Sequence, residues 1–268
     1  MSTGNKNAFS LVELLVVIAI ISLLMGLLMP ALTISRLQSR QILCKSNIRQ
    51  LLLANTGYAG ENDGSFVPAA QDILSSNRRR WHGVRDNTDS PFDPAKGPLA
   101  SYLDDGRVNR CPQKVNFVEL NPWDNNYEKG AGGYGYNMIY LGSRIWQAYD
   151  DQNCRITAKD FQVAQPAQTL MFADAALVDF YQNDTGYLEY SFAEPRYFVI
   201  HGEIDTIWDP FPSIHFRHRN NANIGWADGH VDSRKMAEYD GGNPLIIKAA
   251  ELDLGWFEPL DNSLFDLE

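Results

Sequence analysis

From Leu11 to Leu32 the chain is apolar at every position except Glu13 and Ser22. At helical rise a run of this length spans about 33 Å, enough to cross the hydrocarbon core of a bilayer. The pattern then changes period. Ile34, Leu37, Cys44, Ile48, Leu51 and Tyr58 recur at three- and four-residue steps, with Gln41 and Asn55 filling the polar gaps of the stripe. This predicts an amphipathic continuation of the same helix with one face covered. Gly57 and Gly60, then Glu61-Asn62-Asp63-Gly64, are expected to end it. A helix from Phe9 to about Tyr58 would be ~75 Å long.

Beyond the helix the chain reads as short strands between long loops. Thr169–Ala173, Arg196–Ile200 and Ala222–Ala227 are the best strand candidates. The last leads into Asp228-Gly229 and then His230-Val231-Asp232, an Asp-Gly pair expected to make a two-residue hairpin turn with positive φ at both central residues. The glycine-rich Gly130–Gly135 reads as a surface loop, and there is neither an internal repeat nor a low-complexity tract. The predicted class is α+β: a long N-terminal helix on an antiparallel head.

Composition supports a folded head, with 44% hydrophobic and 12% aromatic residues among 268. Charge is unevenly placed. Up to Gly60 only Glu13 is acidic, against Lys6, Arg36, Arg40, Lys45 and Arg49, so residues 61–268 carry a formal charge of −14. Such a head repels nucleic acid and would instead attract divalent cations or basic partners. Of the three cysteines, Cys44, Cys111 and Cys154, at most two can pair; all three pairings are open, with Cys44–Cys111 slightly favoured among them, and the plain alternative is three small buried thiols.

The text Lys6-Asn7-Ala8-Phe9-Ser10-Leu11-Val12-Glu13-Leu14-Leu15 resembles the processing site of type IV prepilins and type II secretion pseudopilins. The resemblance implies cleavage between Ala8 and Phe9 by a prepilin peptidase and methylation of the new amino terminus. It departs at Ala8, where glycine is commoner, a difference expected to slow processing. It implies a role for Glu13 in assembly: the carboxylate would neutralise the amine of Phe9 on its own or a neighbouring subunit in hydrocarbon, where an unpaired charge costs at least ~2.5 kcal/mol. Pro30 falls where many pilins carry a helix-kinking proline. The implied organisation is a leader at 1–8, a transmembrane and assembly helix at 9–60 and a head at 61–268. An ordinary secretory signal fits less well, because the run is long, carries a carboxylate and continues as a helix. Basic residues are commoner after the run than before it, which alone favours the opposite orientation; the leader resemblance, which places the leader in the cytoplasm, is the more specific signal.

A subgroup of large-headed prepilin-like proteins is similar further along the chain. The matching segments are Ala54–Gly64 ending near Pro68, Arg110-Cys111-Pro112, Gly133-Tyr134-Gly135-Tyr136-Asn137, and His218 followed after nine residues by Asp228-Gly229. The element at 218–229 is expected to be structural, Asp228-Gly229 making the turn and His218 bonding a neighbouring loop.

His215, His218, Asp228, His230 and Asp232 could meet across one hairpin and are the candidate metal ligands, yet their spacing matches no zinc motif, so no metal is assigned. Asp174, Asp179, Asp184, Asp205 and Asp209 match no calcium loop and read as a solvated acidic face. Six tryptophans, among them Trp81, Trp123, Trp146, Trp208 and Trp256, could stack on sugars but fit core or loop anchors better. Neither a catalytic residue nor a required cofactor stands out, a divalent cation being the one candidate cofactor.

The resemblance therefore implies a non-enzymatic structural subunit of a type II secretion pseudopilus or type IV pilus-like filament. It would sit once-spanning in a bacterial inner membrane, its head in the periplasm or on an extracellular filament. Its partners would be the prepilin peptidase, sister subunits and the assembly platform. The alternative is a membrane-anchored binding module for polysaccharide or divalent metal that does not polymerise.

Overall fold

The computed structural model describes residues 11–113, 115, 117, 128–178, 186–205, 210–238 and 243–268. Ala8, Phe9, Trp123, Asp179, Asp184, Trp208 and Asp209, singled out from the sequence, lie outside these. The chain divides into two compact units, residues 1–40 and 41–268.

In the first unit helix α1 (Leu11–Glu61) begins and passes through Pro30 without ending. Proline has no N–H to give to the Gly26 carbonyl a turn earlier; close by, Thr33 Oγ1 donates to the Met29 carbonyl (3.0 Å). The large apolar side chains from Leu11 to Ile34 are exposed. This is the one helix among the described residues long and apolar enough to cross a membrane.

In the second unit α1 runs on past Gly57 and Gly60, which do not stop it. Asp63 and Gly64 do: both have positive φ (52° and 77°), and the Gly64 N–H donates to the Ala59 carbonyl (2.9 Å). A left-handed residue just past the last turn is a normal helix stop.

The head contains twelve short strands among the described residues: β1 (Arg79–Arg80), β2 (Gly83–Val84), β3 (Tyr134–Tyr136), β4 (Leu170–Asp174), β5 (Leu177–Val178), β6 (Tyr187–Leu188), β7 (Val199–Ile200), β8 (Glu203–Ile204), β9 (Ile214–His215), β10 (Asn221–Trp226), β11 (Val231–Lys235) and β12 (Leu254–Gly255). Helix α2 (Pro244–Glu251) precedes the last. The organising layer is a four-stranded sheet of order β11-β10-β4-β3, and every pairing in it is antiparallel. The α+β layout predicted from the sequence is present.

Two of the three predicted strands correspond to β4 and β10, the central pair of this sheet. The third, Arg196–Ile200, shrinks to β7, a two-residue arm paired with β8. His201 and Gly202 join the arms with positive φ at both (56° and 78°), the combination expected instead at Asp228-Gly229. There, only Gly229 has positive φ (93°). Its N–H donates to the Trp226 carbonyl (2.9 Å), giving a three-residue loop, Ala227-Asp228-Gly229, with the left-handed residue last.

The segment Gly130–Gly135 is not a surface loop. Residues 131–135 are buried and lead into β3, whose edge is covered: Tyr136 N–H donates to the Ser191 carbonyl (3.0 Å) and Ala193 N–H to the Tyr136 carbonyl (2.9 Å). The glycines there permit close approach rather than exposure.

The second half of α1 lies on the sheet through Cys44, Ile48, Leu51, Leu52, Ala54, Asn55 and Ala59, all buried. Asn55 belongs to this face because its Oδ1 accepts the Val67 N–H (2.9 Å). In the core Phe172 stacks on Tyr136 (4.8 Å) and meets Trp81 edge-on (5.1 Å). Arg80 and Glu128 form an ion pair with both side chains fully buried (2.6 Å), joining the Arg79–Val84 hairpin to the loop before β3.

Candidate functional site

Two regions carry the chemistry, the N-terminal helix and a polar knot in the head. Glu13 sits in the first turn of the described helix, in an apolar surface that water does not favour. Ser22 also interrupts that surface, but a hydroxyl can bond its own helix backbone and a carboxylate cannot be hidden so cheaply.

In the head, side chains from four separate places converge. Cys44 comes from α1, Cys111 from the loop after Arg110, Asp174 from the end of β4, and His218 from the turn before β10. Their ligand atoms all lie within 4.8 Å of one another. Cys44 Sγ is 3.0 Å from Asp174 Oδ1. His218 Nε2 faces both Cys111 Sγ (3.5 Å) and Asp174 Oδ2 (3.4 Å). Cys44, Asp174 and His218 are buried, and Cys111 is half-buried.

The fold holds each of these in place. Cys111 N–H donates to the Gly132 carbonyl (2.9 Å), which explains part of the buried glycine segment. Asp174 Oδ2 accepts the Asn223 N–H across from β10 (2.8 Å). The turn carrying His218 closes through its N–H to the Asn221 carbonyl (3.0 Å), with Arg219 and Asn220 both at positive φ (57° and 61°). Around the knot, Tyr134 Oη donates to Cys44 Sγ (3.4 Å) and accepts from Asn47 Nδ2 (3.0 Å). Arg217 Nη2 donates to the carbonyls of Ala175 (2.5 Å) and Gly133 (3.1 Å).

The electrostatics follow from this crowding. Contact with Cys44 is the main reason the Cys111 thiol is pushed down to about 5; burial opposes the shift and His218 adds to it. Burial works against a charged His218, yet Asp174 and Cys111 outweigh it and raise the imidazole to about 9. Burial alone would raise the Asp174 carboxyl, but the His218 hydrogen bond and the Arg217 charge hold it below its ordinary value.

Of the metal candidates predicted on one hairpin, only His218 joins this knot. β10 separates it from Asp228 and His230, and six strand residues span about 20 Å. His230 Nδ1 pairs with Asp228 Oδ1 (2.6 Å) at the exposed hairpin tip, so Asp228 and Gly229 serve the turn. Asp232 Oδ1 accepts the Trp226 indole N–H (3.0 Å). His215 stacks on Tyr187 (4.6 Å), and burial drives its pKa well below the ordinary value.

Asp174 does not belong to a solvated acidic face: it is fully buried against a thiol and an imidazole. The cysteine pair favoured from the sequence is brought together, but all three cysteines are free thiols. Trp81, Trp226 and Trp256 are buried, and Trp146 packs on the core against Tyr140; none of the described tryptophans offers an exposed platform for sugars. Cys44, Cys111 and Asp174 were missed as partners of His218 because their positions share no local spacing, and only the sheet topology joins them.

The family model described as the prokaryotic N-terminal methylation motif matches residues 3–29. The chain thus carries a prepilin-type N-terminus continuous with a long apolar helix. Neither a curated protein nor a solved structure matches the chain.

Proposed function

We propose that this chain is a structural, pilin-like subunit: cut between Ala8 and Phe9 by a prepilin peptidase, methylated on Phe9, and assembled into a type II secretion pseudopilus or type IV pilus-like filament. The observation that carries the reading is the continuity of the methylation motif at residues 3–29 with α1. The apolar half of that helix exposes large side chains over its whole surface, while its second half is one-sided and packs under a sheet. A helix apolar all round needs lipid or other helices around it, and a helix bundle in a membrane or filament core supplies both.

In this reading Leu11–Leu32 first holds the precursor in the inner membrane and then packs against sister subunits. Glu13 sets subunit register through the Phe9 amine, and Pro30 loosens the helix where it leaves the packed core. The acidic head faces the periplasm or the exterior. Its partners are the peptidase, other subunits and the assembly platform.

Intact mass and N-terminal sequencing of the protein from membranes of its native cell check this directly. A mature chain beginning at methylated Phe9, and lost when the peptidase is deleted, supports the proposal. A chain beginning at Met1 would leave an anchored head that does not polymerise, and a cut after the apolar run would make it a secreted protein; either overturns it.

A further inference from the structure

We propose that Cys44, Cys111, Asp174 and His218 form a closed four-ligand site for a soft divalent cation, zinc foremost, that fixes the second half of α1 to the central sheet. This inference concerns the compact unit of residues 41–268 and does not depend on filament assembly.

The geometry is that of a coordination shell. With zinc–sulfur bonds near 2.3 Å and zinc–nitrogen or zinc–oxygen bonds near 2.0–2.1 Å, the edges of a tetrahedron come to about 3.3–3.8 Å. The Cys111 Sγ to His218 Nε2 separation is 3.5 Å and the His218 Nε2 to Asp174 Oδ2 separation is 3.4 Å. Cys44 Sγ lies 3.0 Å from the other carboxylate oxygen, Asp174 Oδ1, closer than such an edge, so an ion would part these two, and all four ligand atoms lie within 4.8 Å of one another.

The donor directions separate this reading from a cysteine nucleophile. A nucleophile–histidine–carboxylate relay uses opposite ring nitrogens, one facing the nucleophile and the other the carboxylate. Here the same nitrogen, Nε2, faces both Cys111 and Asp174. One nitrogen shared between thiol and carboxylate, with all four ligand atoms within 4.8 Å of one another, is what a central ion requires.

Donor type selects the ion. Two thiolates and an imidazole are soft or borderline ligands suited to zinc, whereas calcium and magnesium take shells of oxygen. Zinc with two thiolates and a carboxylate has a net charge of −1. Arg217 supplies the compensating positive field, which reaches both Cys111 and Asp174. An outer shell is in place as well: the Tyr134 hydroxyl donates to Cys44 Sγ, and the Asn223 N–H donates to Asp174 Oδ2. All four positions are taken by protein, leaving none open for water or substrate, so the site is structural.

The full-length chain, extracted in detergent under reducing conditions, is the material for the experiment. Elemental analysis is expected to find about one zinc per chain. Chelation followed by cobalt(II) should give the intense thiolate-to-cobalt charge-transfer band and the visible bands of a tetrahedral ion. Cys111→Ser, at the half-exposed ligand, should keep its far-ultraviolet circular dichroism, lose part of the charge-transfer band and bind zinc at least roughly tenfold more weakly. His230→Ala and Cys154→Ser, both outside the shell, should bind as the parent does. A folded chain that takes up no cobalt with thiolate bands overturns the proposal. So does a Cys111→Ser variant of unchanged affinity.

Discussion

Gly225 on β10 lies so close to Ile48 on α1 that a Cβ added to the glycine would sit 2.5 Å from Ile48 Cγ2. The two Leu52 methyls follow at 3.0 and 3.3 Å. A strand interior normally disfavours glycine, and at this position it lets the helix pack directly against the strand.

Gly225→Ala should therefore destabilise the head by about 1–3 kcal/mol through overpacking. Thermal unfolding of the detergent-solubilised chain measures it. Ile48→Ala removes the methyl in the way, so the double variant should lose less stability than the two single losses added together. Simple additivity would show that the contact is not the constraint.

Glu194 gives the head a pH dependence of definite sign. Burial lifts its carboxyl from 4.5 to about 7, against a hydrogen bond from Tyr190 Oη and with help from the negative charge of Glu128. Between those two values the folded chain holds a proton that the unfolded chain has released, so this group's contribution to stability is full below 4.5 and is lost as pH rises through about 7. Glutamine resembles the protonated side chain. The melting temperature of the parent minus that of Glu194→Gln should accordingly fall as pH is raised across this window. Taking the difference removes the depressed carboxyls, such as Asp72, which act in the opposite direction. A flat or rising difference would refute the assignment.

How much of this was legible in the sequence depends on whether the determinant was local. The helix was, because the Leu11–Leu32 run and the stripe ending at Tyr58 are periodic signals, and of the expected stop signals Asp63-Gly64 ends the helix while Gly57 and Gly60 stay inside it. β4 and β10 were visible as apolar runs. Tyr134–Tyr136 was not, since its flanking glycines look like a turn. Yet a Cβ at Gly135 would meet the Phe192 carbonyl oxygen at 2.5 Å, so that glycine serves close packing. The knot was half legible. His218 stood out, but its partners at 44, 111 and 174 are set by sheet order, which a spacing search on one hairpin cannot see. The Arg80–Glu128 pair was hidden in the same way: charged residues in loop-like text read as solvated until the fold buries them together.

The last prediction concerns Glu13, where the chemistry of lipid and of assembly meet. A carboxylate in hydrocarbon costs at least ~2.5 kcal/mol, so removing it does not weaken membrane insertion. What is lost, if Glu13 sets register, is its pairing with the amine that cleavage creates on Phe9. Glu13→Ala should be cleaved and methylated as the parent is, while the assembled fraction falls at least roughly tenfold, the effect of losing only about 1.4 kcal/mol per subunit contact. Glu13→Gln separates charge from shape: it keeps the length and the hydrogen-bonding oxygen, and it should fail as Ala does if the ion pair is what matters. The readouts are the N-terminal mass of the membrane form and the yield of sheared filament in a strain making this subunit. Normal filament yield from both variants would remove Glu13 from assembly and leave its place in the apolar run to be explained by the peptidase alone.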